Sequence, residues 1–264
     1  MLALHVLASG SKGNAAIVED TATGASVAID CGICARDYKA RLAEAGVDPG
    51  KILALFITHE HTDHTKGLGA TLRALKKMGV EFPVYVDPAV RAASSDIRAV
   101  QDTFSLVNMR LDQPLALDAF TVLPFTTSHD AASSCGFRVE CGADSVGYLT
   151  DSGVVTPQAA AGLSRVRLLA FEANHDEKML REGTYPAPLK ARIASDRGHL
   201  SNRQSAAELD ALCWSGLEQV VAMHISENNN TYDLPVQALR EAVGSAPSAP
   251  HVQCAYQRHL VSVR

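Results

Sequence analysis

Thr58-His59-Glu60-His61-Thr62-Asp63-His64 follows directly on the apolar run 52–57. A short apolar run bounded by polar residues reads as a buried strand. The stretch is therefore expected on a loop at a strand's C-terminal end, where open α/β sheets place their chemistry. His59 and His61 are two apart and can point the same way, while Asp63 and His64 follow closely enough to face a second position. One ion is thus offered two imidazoles, and another an imidazole and a carboxylate. That donor set suits Zn, Mn or Fe and argues against a calcium site built of oxygens alone. A solvated loop rich in histidine by accident is the competing reading, and H-x-H-x-D-H straight after a strand is too specific a pattern for it.

At 264 residues the chain can bury a substantial core. It reads as a single domain, 1–264, in two α/β halves of roughly 1–115 and 116–264. With 47% hydrophobic and 20% charged residues, the composition is that of an ordinary globular protein. No apolar run approaches the ~20 residues that span a bilayer, and the start Met1-Leu-Ala-Leu-His lacks the pattern of a secretory signal. A cytoplasmic protein with no membrane partner is expected. The six cysteines show no disulfide framework. Cys31 and Cys34 form a C-x-x-C, but zinc ribbons need a second such pair and none exists, so packing residues are the expectation.

A net charge of −5 does not advertise a nucleic-acid binder. Carboxylates that bind cations are neutralised when loaded, however, and the charge is uneven. Residues 178–203 hold six basic side chains against two acidic ones.

Taken in order, strands are expected at 4–7, 15–18, 25–29, 52–57 and 84–86, with helices at 36–45, 66–78 and 88–99. The loop Ala8-Ser-Gly-Ser-Lys-Gly-Asn14 can turn tightly and offer backbone N–H groups to an anion. Shorter strands follow at 104–107, 120–125, 136–140 and 145–149. A helix at 156–163, a strand at 167–171, a basic helix within 178–203, a helix at 203–213 capped by Ser201 or Asn202, a strand at 217–223 and a helix at 233–243 come next. Residues 244–250 read as a loop and 251–263 as one or two strands. No internal repeat can be asserted. Two sets of strands, each with helices, imply two sheets face to face with helices outside, a four-layer α/β/β/α sandwich.

His129, Asp151 and His224 each follow an expected strand, as His59 does. With Asp30 and the central motif, this set resembles the metallo-β-lactamase superfamily in its two-metal hydrolase branch, over essentially the whole chain. The resemblance implies that His59, His61 and His129 bind one divalent metal ion (Zn, Mn or Fe) and that Asp63, His64 and His224 bind a second. It implies that Asp151 bridges the two and that Asp30 orients the histidine loop from behind. Asp at the bridging position is usual among phosphodiesterases, thioesterases and nucleases of the family, whereas members that open β-lactams commonly have Cys.

Gly147-Tyr-Leu-Thr-Asp151-Ser, Phe171-Glu172-Ala, Gly198-His199-Leu-Ser and Met223-His224-Ile-Ser occur in that order. The series is similar to that of tRNase Z-type enzymes. By that match His199 is the candidate general acid and Glu172 its orienting partner, with Asp63 the third catalytic candidate. Longer matches at 8–14, 58–68, 172–180, 195–202 and 224–229 are similar to the YycJ (WalJ) group of exonucleases. That similarity implies 5′-to-3′ digestion of nucleic acid, DNA rather than RNA. Candidate substrate contacts are Ser9, Ser11, Asn14, His175, Lys190, Arg197 and Ser201. A small-molecule phosphodiesterase or a glyoxalase II-like thioesterase on the same fold is the alternative, and a regulatory module that has lost catalysis fits poorly with seven intact ligand positions.

Overall fold

A computed structural model describes residues 1–244 and 249–264; most of the loop expected at 244–250 lies outside the described residues. Among the described residues, fourteen strands form two sheets of seven. The first comprises β1 (Leu2–Ala8), β2 (Ala15–Asp20), β3 (Ser26–Ile29), β4 (Ile52–Phe56), β5 (Val84–Val86), β6 (Leu106–Asn108) and the last strand of the chain, β14 (Val261–Val263), in the order β14-β1-β2-β3-β4-β5-β6. The second comprises β7 (Leu115–Leu117), β8 (Phe120–Thr126), β9 (Cys135–Cys141), β10 (Asp144–Leu149), β11 (Leu168–Glu172), β12 (Gln219–Met223) and β13 (His251–Cys254), in the order β13-β12-β11-β10-β9-β8-β7. Pairing is antiparallel from β14 to β3 and parallel from β3 to β6; in the second sheet it is antiparallel from β7 to β10 and parallel from β10 to β13.

Strand alternation builds the layers. In β11, Leu168 and Ala170 enter the core between the sheets, while Leu169 and Phe171 face the outer helices. In β12, Val221 and Met223 point inward and Val220 and Ala222 outward. Both faces of such strands are apolar, which is why they read as continuous apolar runs. Outside the first sheet, Tyr38 and Leu42 of α1 (Ala35–Ala45) and Leu68, Leu72 and Leu75 of α3 (Leu68–Lys76) close a second core. Outside the second sheet, Leu163 of α6 (Pro157–Leu163), Leu209 of α9 (Asn202–Leu212) and Leu239 of α10 (Asp233–Val243) close a third. Three cores between four layers are the α/β/β/α sandwich expected from the sequence.

Several expectations need correction. Asp63 and His64 do not sit on a loop but on a single helical turn, α2 (Thr62–Thr65). The helix expected over 66–78 starts only at Leu68: Gly67 N donates to the Cys31 carbonyl at 2.9 Å instead of continuing a helical ladder, and a Cβ at 67 would stand 1.8 Å from the carbonyl of Ile33. The helix at 88–99 is two pieces, α4 (Pro88–Ala93) and α5 (Ser95–Arg98). Ser94 between them is extended, and its hydroxyl accepts from Ile97 N to cap the second. The basic helix is likewise divided, into α7 (Glu177–Glu182) and α8 (Ala187–Ile193). Gly183 is extended and Pro186 stands at the start of α8, where proline is tolerated, whereas inside one continuous helix it would break the hydrogen-bond ladder. Beyond Ile193 the chain turns, and this turn carries His199. The short strand β7 had no signal of its own.

Candidate metal centre

Strand ends deliver the side chains. Asp30 follows β3, His59 follows β4, His129 follows β8, Asp151 follows β10 and His224 follows β12. Asp30, Asp151 and His224 adopt positive φ of 58°, 54° and 53°. Non-glycine residues rarely do so, at about 1–3 kcal/mol each. Three such residues at one end of the sandwich mark a place where the rest of the fold holds the backbone against its preference.

Ligand-type atoms converge there in overlapping groups, each within 4.8 Å: His59, His61 and His129; His59, His64 and Asp151; Asp63, His64 and His224; and Asp151, Glu172, His199 and His224. Asp151 stands between the first and third, with Oδ2 3.2 Å from His64 Nε2 and Oδ1 3.5 Å from His224 Nε2 and 3.8 Å from His129 Nε2.

Hydrogen bonds behind these groups orient them. His129 Nδ1 donates to the Gly198 carbonyl at 3.0 Å, which turns Nε2 toward His61. His64 Nδ1 donates to Asp30 Oδ2 at 2.7 Å, leaving Nε2 to face Asp63 and Asp151. The buried Asp30 also accepts from Thr58 N at 2.9 Å and from the Thr58 hydroxyl, which tethers the strand exit just before His59. Such outer carboxylates fix a ligand's tautomer and raise its basicity. Asn174 was not singled out in the sequence, yet its Nδ2 donates to the His224 carbonyl at 2.8 Å. Gly32 allows the His64 turn to lie against the first sheet, since a Cβ there would meet the Asp63 carbonyl at 1.6 Å.

The donor set fits divalent cations. His59 Nε2 is buried and has no hydrogen-bond partner among the described residues. His61 Nδ1 and His129 Nε2 stand 3.2 Å apart, two ring nitrogens turned on one another. A buried, partnerless nitrogen such as His59 Nε2 is costly unless a cation sits beside it. Burial pushes the imidazoles of His59 and His129 below their ordinary range, so both are neutral. Burial opposes the charge on Asp63 and Asp151, but the neighbouring histidines outweigh it and hold both carboxyls ionised. Neutral imidazole and ionised carboxylate are the forms that bind metal. His64 and His224 differ: against the effect of burial, the surrounding carboxylates raise His64 well above its ordinary range and His224 to about 9, so a metal binding there would displace a proton from each. All donors are nitrogen or oxygen, which suits Zn, Mn or Fe.

Next to these groups, Glu172 Oε1 accepts from His199 Nδ1 at 2.7 Å. Its other oxygen accepts from Ser152 N at 2.8 Å and Leu200 N at 3.3 Å. Glu172 is fully buried, whereas the side chain of His199 is 18% exposed and faces His129 and His224, with ring centroids 5.0 and 5.2 Å away.

The candidate substrate contacts scatter. Ser9 is buried, and its hydroxyl accepts from His224 N at 2.7 Å. Asn14 is buried with Nδ2 2.9 Å from His64 Nε2. Ser11 is exposed. His175 is buried with Nδ1 unpartnered among the described residues, and burial pushes its imidazole down to about 4. Lys190 Nζ donates to the Arg181 carbonyl, and Arg197 to the His129 carbonyl at 3.3 Å. Ser201 caps α9 in a capping box with Gln204. Arg192 pairs with Asp130, and Arg203 with Glu177. Cys31 is buried, with its thiol pushed up to about 12, and Cys34 is exposed.

Residues 26–225 match the model of the beta-lactamase superfamily domain. The chain belongs to the metallo-β-lactamase superfamily. This is a superfamily of metal-dependent hydrolases, and the His/Asp groups above are able to hold its metals. Among its members, the exodeoxyribonuclease WalJ of Streptococcus pneumoniae is 30% identical over 229 residues, covering 87% of this chain and 83% of its own. The exodeoxyribonuclease YycJ of Bacillus anthracis is 29% identical over 240 residues, covering 88% and 86%. The metallo-β-lactamase fold protein YhfI from Bacillus subtilis superposes with a TM-score of 0.73 over 99% of both chains at 17% identity, a likeness of fold alone. No helix among the described residues is long and apolar enough to cross a membrane.

Proposed function

We propose that the chain is a dinuclear phosphodiesterase that degrades nucleic acid from its end, DNA in preference to RNA, in the 5′-to-3′ direction. In this reading His59, His61 and His129 would hold one ion and Asp63, His64 and His224 the other, with Asp151 placed between the two groups. Bound there, two such ions would supply a hydroxide at neutral pH and withdraw charge from the attacked phosphorus. The observation that carries the choice of a phosphodiester is the buried Glu172 bonded to His199 beside Asp151. A departing 3′-oxygen is a poor leaving group and needs a proton. Glu172 stabilises the imidazolium of His199, and Nε2 gives the proton to that oxygen as its bond to phosphorus breaks. One water is consumed: its oxygen goes to phosphorus, and the products are a 5′-phosphate and a 3′-hydroxyl. Relatives called exodeoxyribonucleases, matched over most of both chains, support the same reading.

The test loads purified protein with Mn²⁺ or Zn²⁺. Substrates are 5′-phosphorylated duplex DNA, single-stranded DNA, RNA, a small phosphodiester and a glutathione thioester, with His61→Ala and His199→Ala beside the wild type. Release of mononucleotides from the 5′ end, lost in both variants, is expected. Activity confined to the thioester or the small ester sinks the reading.

A further inference from the structure

Helix α8 is unusual among the helices of this chain in burying none of its residues. Leu189 and Ile193, four apart and so on one face, are only half-buried. They do not face a core. With Tyr185 they wall a cavity of about 190 Å³ whose inner side is Gly198 and His199 and whose rim is Asp130 and Arg192. The cavity thus adjoins the metal centre, with His199 lining the one and facing His129 and His224 of the other. The Tyr185 ring is held in place from outside, its hydroxyl accepting from Asn228 Nδ2 at 2.8 Å.

We propose that this cavity binds the base of the 5′-terminal nucleotide, a proposal that rests on the nuclease reading above. Its chemistry favours a base over a phosphate. Three of its walls are apolar, one of them aromatic, and the cation at its rim is already paired: Arg192 donates to Asp130. An anion would find no unpaired cation among the lining residues, whereas a flat ring finds a tyrosine to stack on. The space holds one base but not a base with its sugar and phosphate, which leaves the phosphodiester outside, on the metal side. His199 decides which base. It protonates the leaving 3′-oxygen, so a pocket walled by His199 takes the nucleotide that carries that oxygen. In 5′-to-3′ digestion this is the terminal one.

Two 5′-phosphorylated strands test this in the Mn²⁺-loaded protein: one with an intact terminal nucleotide, one with a tetrahydrofuran abasic residue in its place. The wild type should favour the intact end about tenfold in kcat/KM, within the range of one base stacked on an aromatic side chain. The preference should reside in KM. Tyr185→Ala should bring the ratio close to one. Leu189→Lys, which puts a charge in the cavity but leaves the Tyr185–Asn228 bond alone, should do the same and decides the matter if Tyr185→Ala does not fold. A wild type that ignores the terminal base, or a preference that survives in both variants, overturns the pocket alone. A wild type that cleaves neither strand overturns the nuclease reading and the pocket together.

Discussion

Glu172 Oε1 lies 2.7 Å from Nδ1 of His199, and both oxygens of this fully buried carboxylate are engaged, one by the imidazole and the other by backbone N–H groups. In the proposed reaction Glu172 acts through His199. Glu172→Gln should keep the contact to Ser152 but lose the charge that stabilises an imidazolium. We expect kcat on DNA to fall by about 10–100-fold with KM little changed. His199→Ala should cost about 10²–10⁴-fold. With p-nitrophenolate, which leaves without a proton, both losses should shrink. Equal losses on both leaving groups would argue against a proton-donor role.

Asp30 touches neither candidate metal position, yet it holds His64 Nδ1 at 2.7 Å and Thr58 N at 2.9 Å. In Asp30→Asn the amide cannot match that acceptor role, and the metal affinity should drop by about 10–100-fold. Titration of the metal-free protein with Zn²⁺ against a competing chelator measures it.

Metal removal should be felt in stability as well as activity. A ligand that binds only the folded state at a thousand times its Kd adds about 4 kcal/mol. For a chain of this size that corresponds to a Tm lower by about 8–16 °C after chelation, and re-addition of Mn²⁺ or Zn²⁺ should restore it. An unchanged Tm would mean that the converging histidines hold no ion in solution.

His175 gives a pH dependence that does not involve the candidate ligands. The unfolded chain takes up a proton on this residue near pH 6.5, whereas the buried ring resists protonation down to about 4. Between these values the unfolded state binds more protons, so stability falls as the pH is lowered through the window and levels off below it. The full effect is about 3 kcal/mol. His175→Gln should flatten the slope between pH 6.5 and 4 relative to wild type in urea denaturation. Parallel curves for the two proteins would refute the assignment.

Phe137 and Phe56 meet across the gap between the sheets, with ring centroids 5.6 Å apart. Both are buried in the core shared by the two sheets. Phe137→Ala should destabilise the protein by about 3–5 kcal/mol through lost burial and the cavity left behind. Chemical denaturation gives the number directly.

The sequence by itself determined most of the elements and the type of chemistry to expect. Apolar runs such as 52–57 and 220–223 announce strands buried on both faces, because a continuous apolar run needs no partner to be read. H-x-H-x-D-H announces a metal site because its donors are neighbours in the chain. The tertiary structure decided what those elements do together. His129 and His224 are ordinary histidines until the ends of β8 and β12 bring them to His61 and Asp63, contacts that span 68 and 161 residues. The sequence shows a basic excess at 178–203, yet Arg192, Arg197 and Arg203 meet Asp130, the His129 carbonyl and Glu177. Local sequence cannot show this, since a charge reports its sign but not its partner. Tyr185, Leu189 and Ile193 carried no signal either. An apolar residue on a short helix reads as core, and only the packing of α8 away from the sheets leaves these three around a cavity beside His199.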